Sequence, residues 1–100
     1  MSERRFVRAS IHGRVQGVGF RAFIERQAIE HGLEGWVRNR ADGSVEAMFV
    51  GGAPAVEALL AACRSGPPGA EVERVDTREE DPAGLIPSSR AAGFYVMPTV

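Results

Sequence analysis

The chain predicts an α+β sandwich in which two helices cover one face of an antiparallel sheet, and three observations predict it. Segments with apolar residues at every second position and segments with apolar residues three and four apart follow one another as strand, helix, strand, strand, helix, strand. Glycine and proline clusters punctuate the boundaries, most heavily at 13–19 and 66–69. One hundred residues with 44% hydrophobic and 25% charged content fit one domain, 1–100, around a single core. This element order is the split β-α-β, ferredoxin-like arrangement, an architecture that serves many functions and names none.

Each element has its own reason. Phe6 to His12 alternates, with Val7, Ala9 and Ile11 on one face and Phe6, Arg8, Ser10 and His12 on the other, which predicts a half-buried first strand. A glycine loop, Gly13 to Gly19, follows. Phe20 to His31 places Phe20, Phe23, Ile24 and Ala28 at helical spacing, and Gly32 is a natural stop. Gly35 to Asn39 reads as the second strand, joined through the turn Ala41-Asp42-Gly43 to a third, Ser44 to Val50, with Val45, Ala47 and Phe49 on one face. Pro54 suits the first position of a second helix whose apolar stripe is Val56, Leu59, Leu60 and Cys63, and Gly66-Pro67-Pro68-Gly69 ends it. Glu71 to Thr77 makes a weaker fourth strand. Residues 78–92, rich in charge, proline and serine, read as a mobile surface loop before a possible short fifth strand, Phe94 to Met97.

Composition narrows the chemistry. Cys63 is the only cysteine, so no internal disulfide and no multi-cysteine zinc site is expected. No signal peptide and no membrane-length apolar run is visible, which predicts a cytoplasmic protein. Net charge is −1 with the basic residues spread along the chain, against polyanion binding. All 12 basic residues are arginine, so a Walker lysine, a Schiff-base lysine and a lysine general base are excluded.

The stretch Gly13-Arg14-Val15-Gln16-Gly17-Val18-Gly19-Phe20-Arg21 carries most of the functional signal. Three glycines let the backbone turn its N–H groups inward, and the following helix adds the unpaired N–H groups of its first turn, together a plausible anion cradle. Arg21 is a cation against the positive end of the helix dipole, a conflict that a bound anion would remove. The P-loop pattern fails because no Gly-Lys-Ser/Thr follows. A dinucleotide fingerprint matches superficially at Gly17, Gly19 and Ala22 with Asp42 about twenty residues on, but Asp42 falls in a hairpin turn and the chain is too short for a doubly wound sheet. A glycine-rich connection without a ligand remains open at this point.

That nine-residue loop, followed by Gly35-Trp36-Val37-Arg38-Asn39 and Asp42-Gly43-Ser44-Val45-Glu46, resembles the acylphosphatase family, over about Phe6 to Val75. The resemblance implies a small ferredoxin-like enzyme that hydrolyses the carboxyl-phosphate bond of acyl phosphates with no metal and no cofactor. Carried over by motif, the family's phosphate-binding arginine matches Arg21 and its water-orienting asparagine matches Asn39. The backbone of Val15, Gln16, Gly17, Val18, Gly19 and Phe20 matches its phosphate cradle. The implied partner is a small-molecule acyl phosphate; charge and composition argue against nucleic acid and membrane, and a monomer is the expected state. The assignment is physically coherent: the acyl phosphate already has a good carboxylate leaving group, so charge stabilisation and a positioned water suffice. Period two puts Asn39 on the same face as Val37; if helices cover that face, Asn39 points toward the helix carrying Arg21. The strand-four to strand-five connection departs from the family in being longer.

Other residues invite plainer readings. Arg14 is read as a solvent-facing loop charge, Arg38 and Arg40 as residues of the open sheet face, and His12 and His31 as structural or surface groups. Trp36 is read as packing or a partly exposed sheet aromatic, Cys63 as a buried small hydrophobe. Glu71 and Glu73 lack a third ligand for a metal. Two alternatives stay open: a non-catalytic phosphate or acyl-phosphate binding module, and an RNA-binding sheet face, the latter disfavoured because Phe6 and Phe49 are isolated and the charge is negative.

Overall fold

A computed structural model describes residues 4–80 and 93–100. It contains β1 (Arg4–Arg14), α1 (Phe20–Glu30), β2 (Glu34–Asn39), β3 (Val45–Gly52), α2 (Ala53–Ser65), β4 (Glu71–Glu79) and β5 (Phe94–Val96). The strands form one sheet in the order β4-β1-β3-β2-β5. Four of them pair antiparallel, as predicted, and β5 pairs parallel to β2, with Gly35 opposite Phe94 and Val37 opposite Val96. The sheet is therefore mixed rather than antiparallel. The reason is geometric: Val50 pairs with both Phe6 and Glu34, so β1 and β2 start at the same end of the sheet. β4 finishes at that end, where the Glu80 N–H donates to the Phe6 carbonyl at 2.7 Å, and a strand entering from there beside β2 runs the same way as β2.

Alternation decides the two faces. Val7, Ala9, Ile11, Val37, Val45, Ala47 and Phe49 are buried against Phe20, Ile24 and Ala28 of α1 and Val56, Leu59, Leu60 and Cys63 of α2. Full burial of each large aliphatic side chain here contributes about 1.5–3 kcal/mol. The opposite face carries a smaller cluster, Trp36, Met48 and Val50 with Phe6 and Met97 against it. Trp36 is packing, at 4% exposure, and not a half-open aromatic.

Two boundaries differ from the sequence reading in ways that matter. β1 continues through Gly13 and Arg14, which pair with Val72 and Glu71 after a register shift between His12 and Gly13. Gly13 thus belongs to a β-bulge, with φ 126°, and a side chain there would collide with the Glu71 carbonyl. The loop proper is Val15 to Gly19. Arg78 and Glu79 lie in β4 rather than in a loop, whereas residues 81–92 of the expected mobile loop lie outside the described residues.

Candidate active site at the junction of β1 and α1

The loop leaves β1 and enters α1 through two left-handed glycines, Gly17 at φ 77° and Gly19 at φ 79°. A Cβ at either would meet nothing within 4 Å, so glycine is required there by backbone conformation rather than by space. Gly19 is the N-cap of α1; no side chain caps the helix and no acidic residue stands in its first turn. The N–H groups of that turn are left without the usual side-chain partner.

A cavity of about 320 Å³ opens at this helix end. Its walls come from the loop (Val15, Gln16, Gly17, Gly19), from the first turns of α1 (Phe20, Arg21, Ala22, Glu25), from Asn39 at the end of β2 and from Val96 of β5. The volume is at the lower end for small-molecule sites. Arg21 and Asn39, eighteen positions apart in the chain, line the same cavity. Val37, two residues before Asn39, is fully buried under the helices, so the strand period directs Asn39 to the helix side. Val18 is half-buried against the helix-side core and does not line the cavity.

Among the described residues Arg21 has no carboxylate partner and no side-chain hydrogen bond, although Glu25 shares its cavity. The Asn39 side chain likewise makes no hydrogen bond among them. Its backbone, by contrast, is held firmly: the Asn39 carbonyl accepts the Val100 N–H at 3.2 Å and the Ala41 N–H donates to the Val100 carbonyl at 2.6 Å. The turn beyond is closed by Arg40 N–H to the Ser44 carbonyl at 2.9 Å and Gly43 N–H to the Arg40 carbonyl at 3.0 Å. Within it the Asp42 carboxylate accepts the Ser44 hydroxyl at 2.6 Å and the Ser44 N–H at 2.9 Å. Those bonds, the hydroxyl's first, hold the Asp42 carboxyl below its ordinary value.

The remaining sequence candidates lie elsewhere. His12 is on the opposite sheet face, its Nε2 3.4 Å from the Asp76 carboxylate, and Arg14 is exposed and outside the cavity. His31 caps the far end of α1 against the Gln27 carbonyl at 2.8 Å. Cys63 is fully buried, and burial pushes its thiol up to about 12. The cavity also contains Glu25 and Val96, which sequence reasoning did not single out, and Ala22, which it met only as the third position of a rejected dinucleotide fingerprint. For Ala22 and Glu25 the available signal was their position one residue and one helical turn beyond Arg21; Val96 carried none.

Fold and cavity together define a ferredoxin-like α+β protein with a small, cation-bearing site where β1 meets α1. The chain matches the acylphosphatase family model over residues 7–89. It is 51% identical over 100 residues to an acylphosphatase of Synechococcus sp. (strain JA-2-3B'a(2-13)), covering all of both chains. It is 51% identical over 98 residues to an acylphosphatase of Bradyrhizobium diazoefficiens, covering 97% of this chain and 98% of that relative. The crystal structure of acylphosphatase from Bacillus subtilis is similar with a TM-score of 0.82 at 32% identity, covering 95% of this chain and 99% of that one. The chain belongs to the acylphosphatase family.

Proposed function

We propose that the protein is an acylphosphatase that uses the cavity at the head of α1 to split acyl phosphates into a carboxylate and inorganic phosphate. The observation that carries the site assignment is the Arg21 guanidinium, without a side-chain partner among the described residues, in a cavity that Asn39 also lines. In this reading the phosphoryl oxygens are held by the N–H groups of Val15 to Phe20 and by Arg21, whose planar fork meets two oxygens at once. The Asn39 amide oxygen accepts a hydrogen bond from a water and aims its lone pair at phosphorus, without adding a negative charge that would repel the phosphoryl group. The new P–O bond forms from that water as the bond between phosphorus and the carboxyl oxygen breaks. The electron pair leaves on the carboxylate and the water's proton passes to phosphate or buffer. Guanidinium and N–H groups meet the charge on the transferring group, so the chemistry calls for no metal.

Hydrolysis of an aryl acyl phosphate in the presence of EDTA tests the proposal. Turnover is expected to persist with EDTA and to be largely abolished in Arg21→Ala and in Asn39→Ala, with circular dichroism spectra unchanged. Full activity in both variants would remove the residue assignment, and phosphate binding without turnover of any acyl phosphate would reduce the protein to a binding module.

The wider setting we propose is cytoplasmic, with the protein working as a monomer on a small molecule and not on nucleic acid. Two features support the last point: Trp36 is buried, and the arginines of the surrounding sheet face are tied to carboxylates. Among the described residues no helix is long and apolar enough to cross a membrane.

A further inference from the structure

Gln16 contributes more than a backbone N–H to the loop. Its side-chain Nε2 donates to the Arg40 carbonyl at 2.8 Å and to the Ser44 carbonyl at 2.9 Å. A primary amide has two N–H donors on one nitrogen, and both are spent on the two ends of the β2–β3 turn. Arg40 directly follows Asn39. Among the described residues no other hydrogen bond joins the loop Val15 to Gly19 with residues 39–44. The amide is therefore a strut between the piece of backbone that would hold phosphorus and the strand end that would hold the water.

We infer that Gln16 is a positioning residue: its side chain sets the distance between the phosphate cradle and Asn39, and so acts on turnover rather than on phosphate affinity. The inference rests on the roles proposed for the loop and Asn39. Its physical basis is that an in-line attack tolerates little misplacement, and an error of about 1 Å costs on the order of 100-fold. Removing the strut leaves no buried carbonyl without a donor. The Ser44 carbonyl keeps its bond from Arg40 N–H and the Arg40 carbonyl keeps its bond from Gly43 N–H when Gln16 is removed, so neither oxygen is orphaned.

Four proteins decide the matter: the wild type, Gln16→Met, Asn39→Ala and the double variant, each measured for hydrolysis of an aryl acyl phosphate and for competitive inhibition by inorganic phosphate. Methionine keeps the length of glutamine and has no donor. Gln16→Met is expected to lose roughly 10- to 100-fold in kcat while its phosphate inhibition constant stays within about twofold. In the Asn39→Ala background the same change is expected to cost less than about threefold, because no positioned water is left to misplace. Gln16→Asn, which keeps the amide on a stem one methylene shorter, is expected to repeat the loss and substitutes for Gln16→Met if that variant does not fold. The inference is overturned by wild-type kcat in the Gln16 variants, by an equal loss in both backgrounds, or by weakened phosphate inhibition accompanying the loss of kcat. Wild-type turnover in Asn39→Ala would overturn the Asn39 assignment itself, visible as a separate result, and the inference with it.

Discussion

The arginines gathered around Glu46 and the arginine at the head of α1 are treated in opposite ways. On the face away from the helices, Glu46, only 6% exposed, takes Arg38 Nε at 2.8 Å and Arg40 Nη1 at 3.1 Å on one oxygen and Arg8 Nη1 at 2.8 Å on the other. Glu80 takes Arg8 Nε at 3.2 Å and Arg78 Nε at 2.9 Å. Arg8 and Arg38 also lie against Trp36, their Cζ atoms 5.4 and 4.7 Å from the ring centroid. On the helix side, Arg21 stands at a helix N-terminus with no partner among the described residues. A cation neutralised by its own chain fastens strands together. A cation left unmatched, against a helix dipole that already disfavours it, stores affinity for an anion from outside.

The largest effect is expected at Arg21. Arg21→Ala is expected to lower kcat/KM by about 10³- to 10⁵-fold, the range seen when an arginine that stabilises a transferring phosphoryl group is removed. The same variant is expected to unfold slightly later, by about 0.3–1 kcal/mol, because the unfavourable dipole contact goes with the side chain. Phosphate should raise the melting temperature of the wild type and not of the variant. An unstable Arg21→Ala would show that Arg21 is structural after all.

Glu46→Gln tests the other face. Leaving three arginines around a neutral amide is expected to cost about 3–5 kcal/mol in urea unfolding, with turnover of the remaining folded protein retained. The wild type carries a pH signature of the same group. Burial pushes the Glu46 carboxyl up, but hydrogen bonds from Arg38, Arg8 and Arg40 outweigh it, and the net value lies below the ordinary 4.5. A carboxyl depressed on folding gives stability that is present above its unfolded value and lost as pH falls through the folded one. Stability is therefore expected to fall below about pH 4.5, and that part of the slope is expected to vanish in Glu46→Gln. Unfolding curves of both proteins from pH 7 down to 3 check the sign.

Smaller effects sharpen the contrast. Asn39→Ala is expected to lose about 10²- to 10³-fold in kcat with little change in phosphate inhibition, a turnover defect without a binding defect. Arg74→Ala removes a pair with Asp76 that is 3.0 Å long but exposed at both side chains, and is expected to shift stability by at most about 0.5 kcal/mol. If Arg74→Ala cost as much as Glu46→Gln, burial would not be what distinguishes the two ion pairs.

Much of this was legible in the chain because it rests on local periodicity. Val7, Ala9 and Ile11 lie under the helices, α1 begins at Phe20 and α2 buries Val56, Leu59, Leu60 and Cys63, all as the spacing required. Arg21 and Asn39 line one cavity, a pairing the motif resemblance suggested and period two supported only as far as the side of the sheet that Asn39 faces. What was not legible depends on partners distant in the sequence. Gly13 reads as loop until Val72 lies beside it, and the direction of β5 depends on where β4 ends. Glu46 reads as an outward strand residue, and only the convergence of Arg8, Arg38 and Arg40 makes it a buried hub. The reach of Gln16 to Arg40 and Ser44 is invisible locally, although Gln16 is the one uncharged polar side chain between Arg14 and Arg21.

Cys63 supplies a clock. It is the only thiol in the chain, it faces the interior from α2, and burial that pushes it up to about 12 keeps it both unreachable and un-ionised at neutral pH. Alkylating reagents attack the thiolate, so they can reach this sulfur only while α2 is lifted from the sheet. The rate at which native protein is labelled, followed across denaturant concentrations, thus reports the free energy of that opening in the unmodified molecule. Bound phosphate, acting at the head of the other helix, should slow the clock only to the extent that the opening destroys its site.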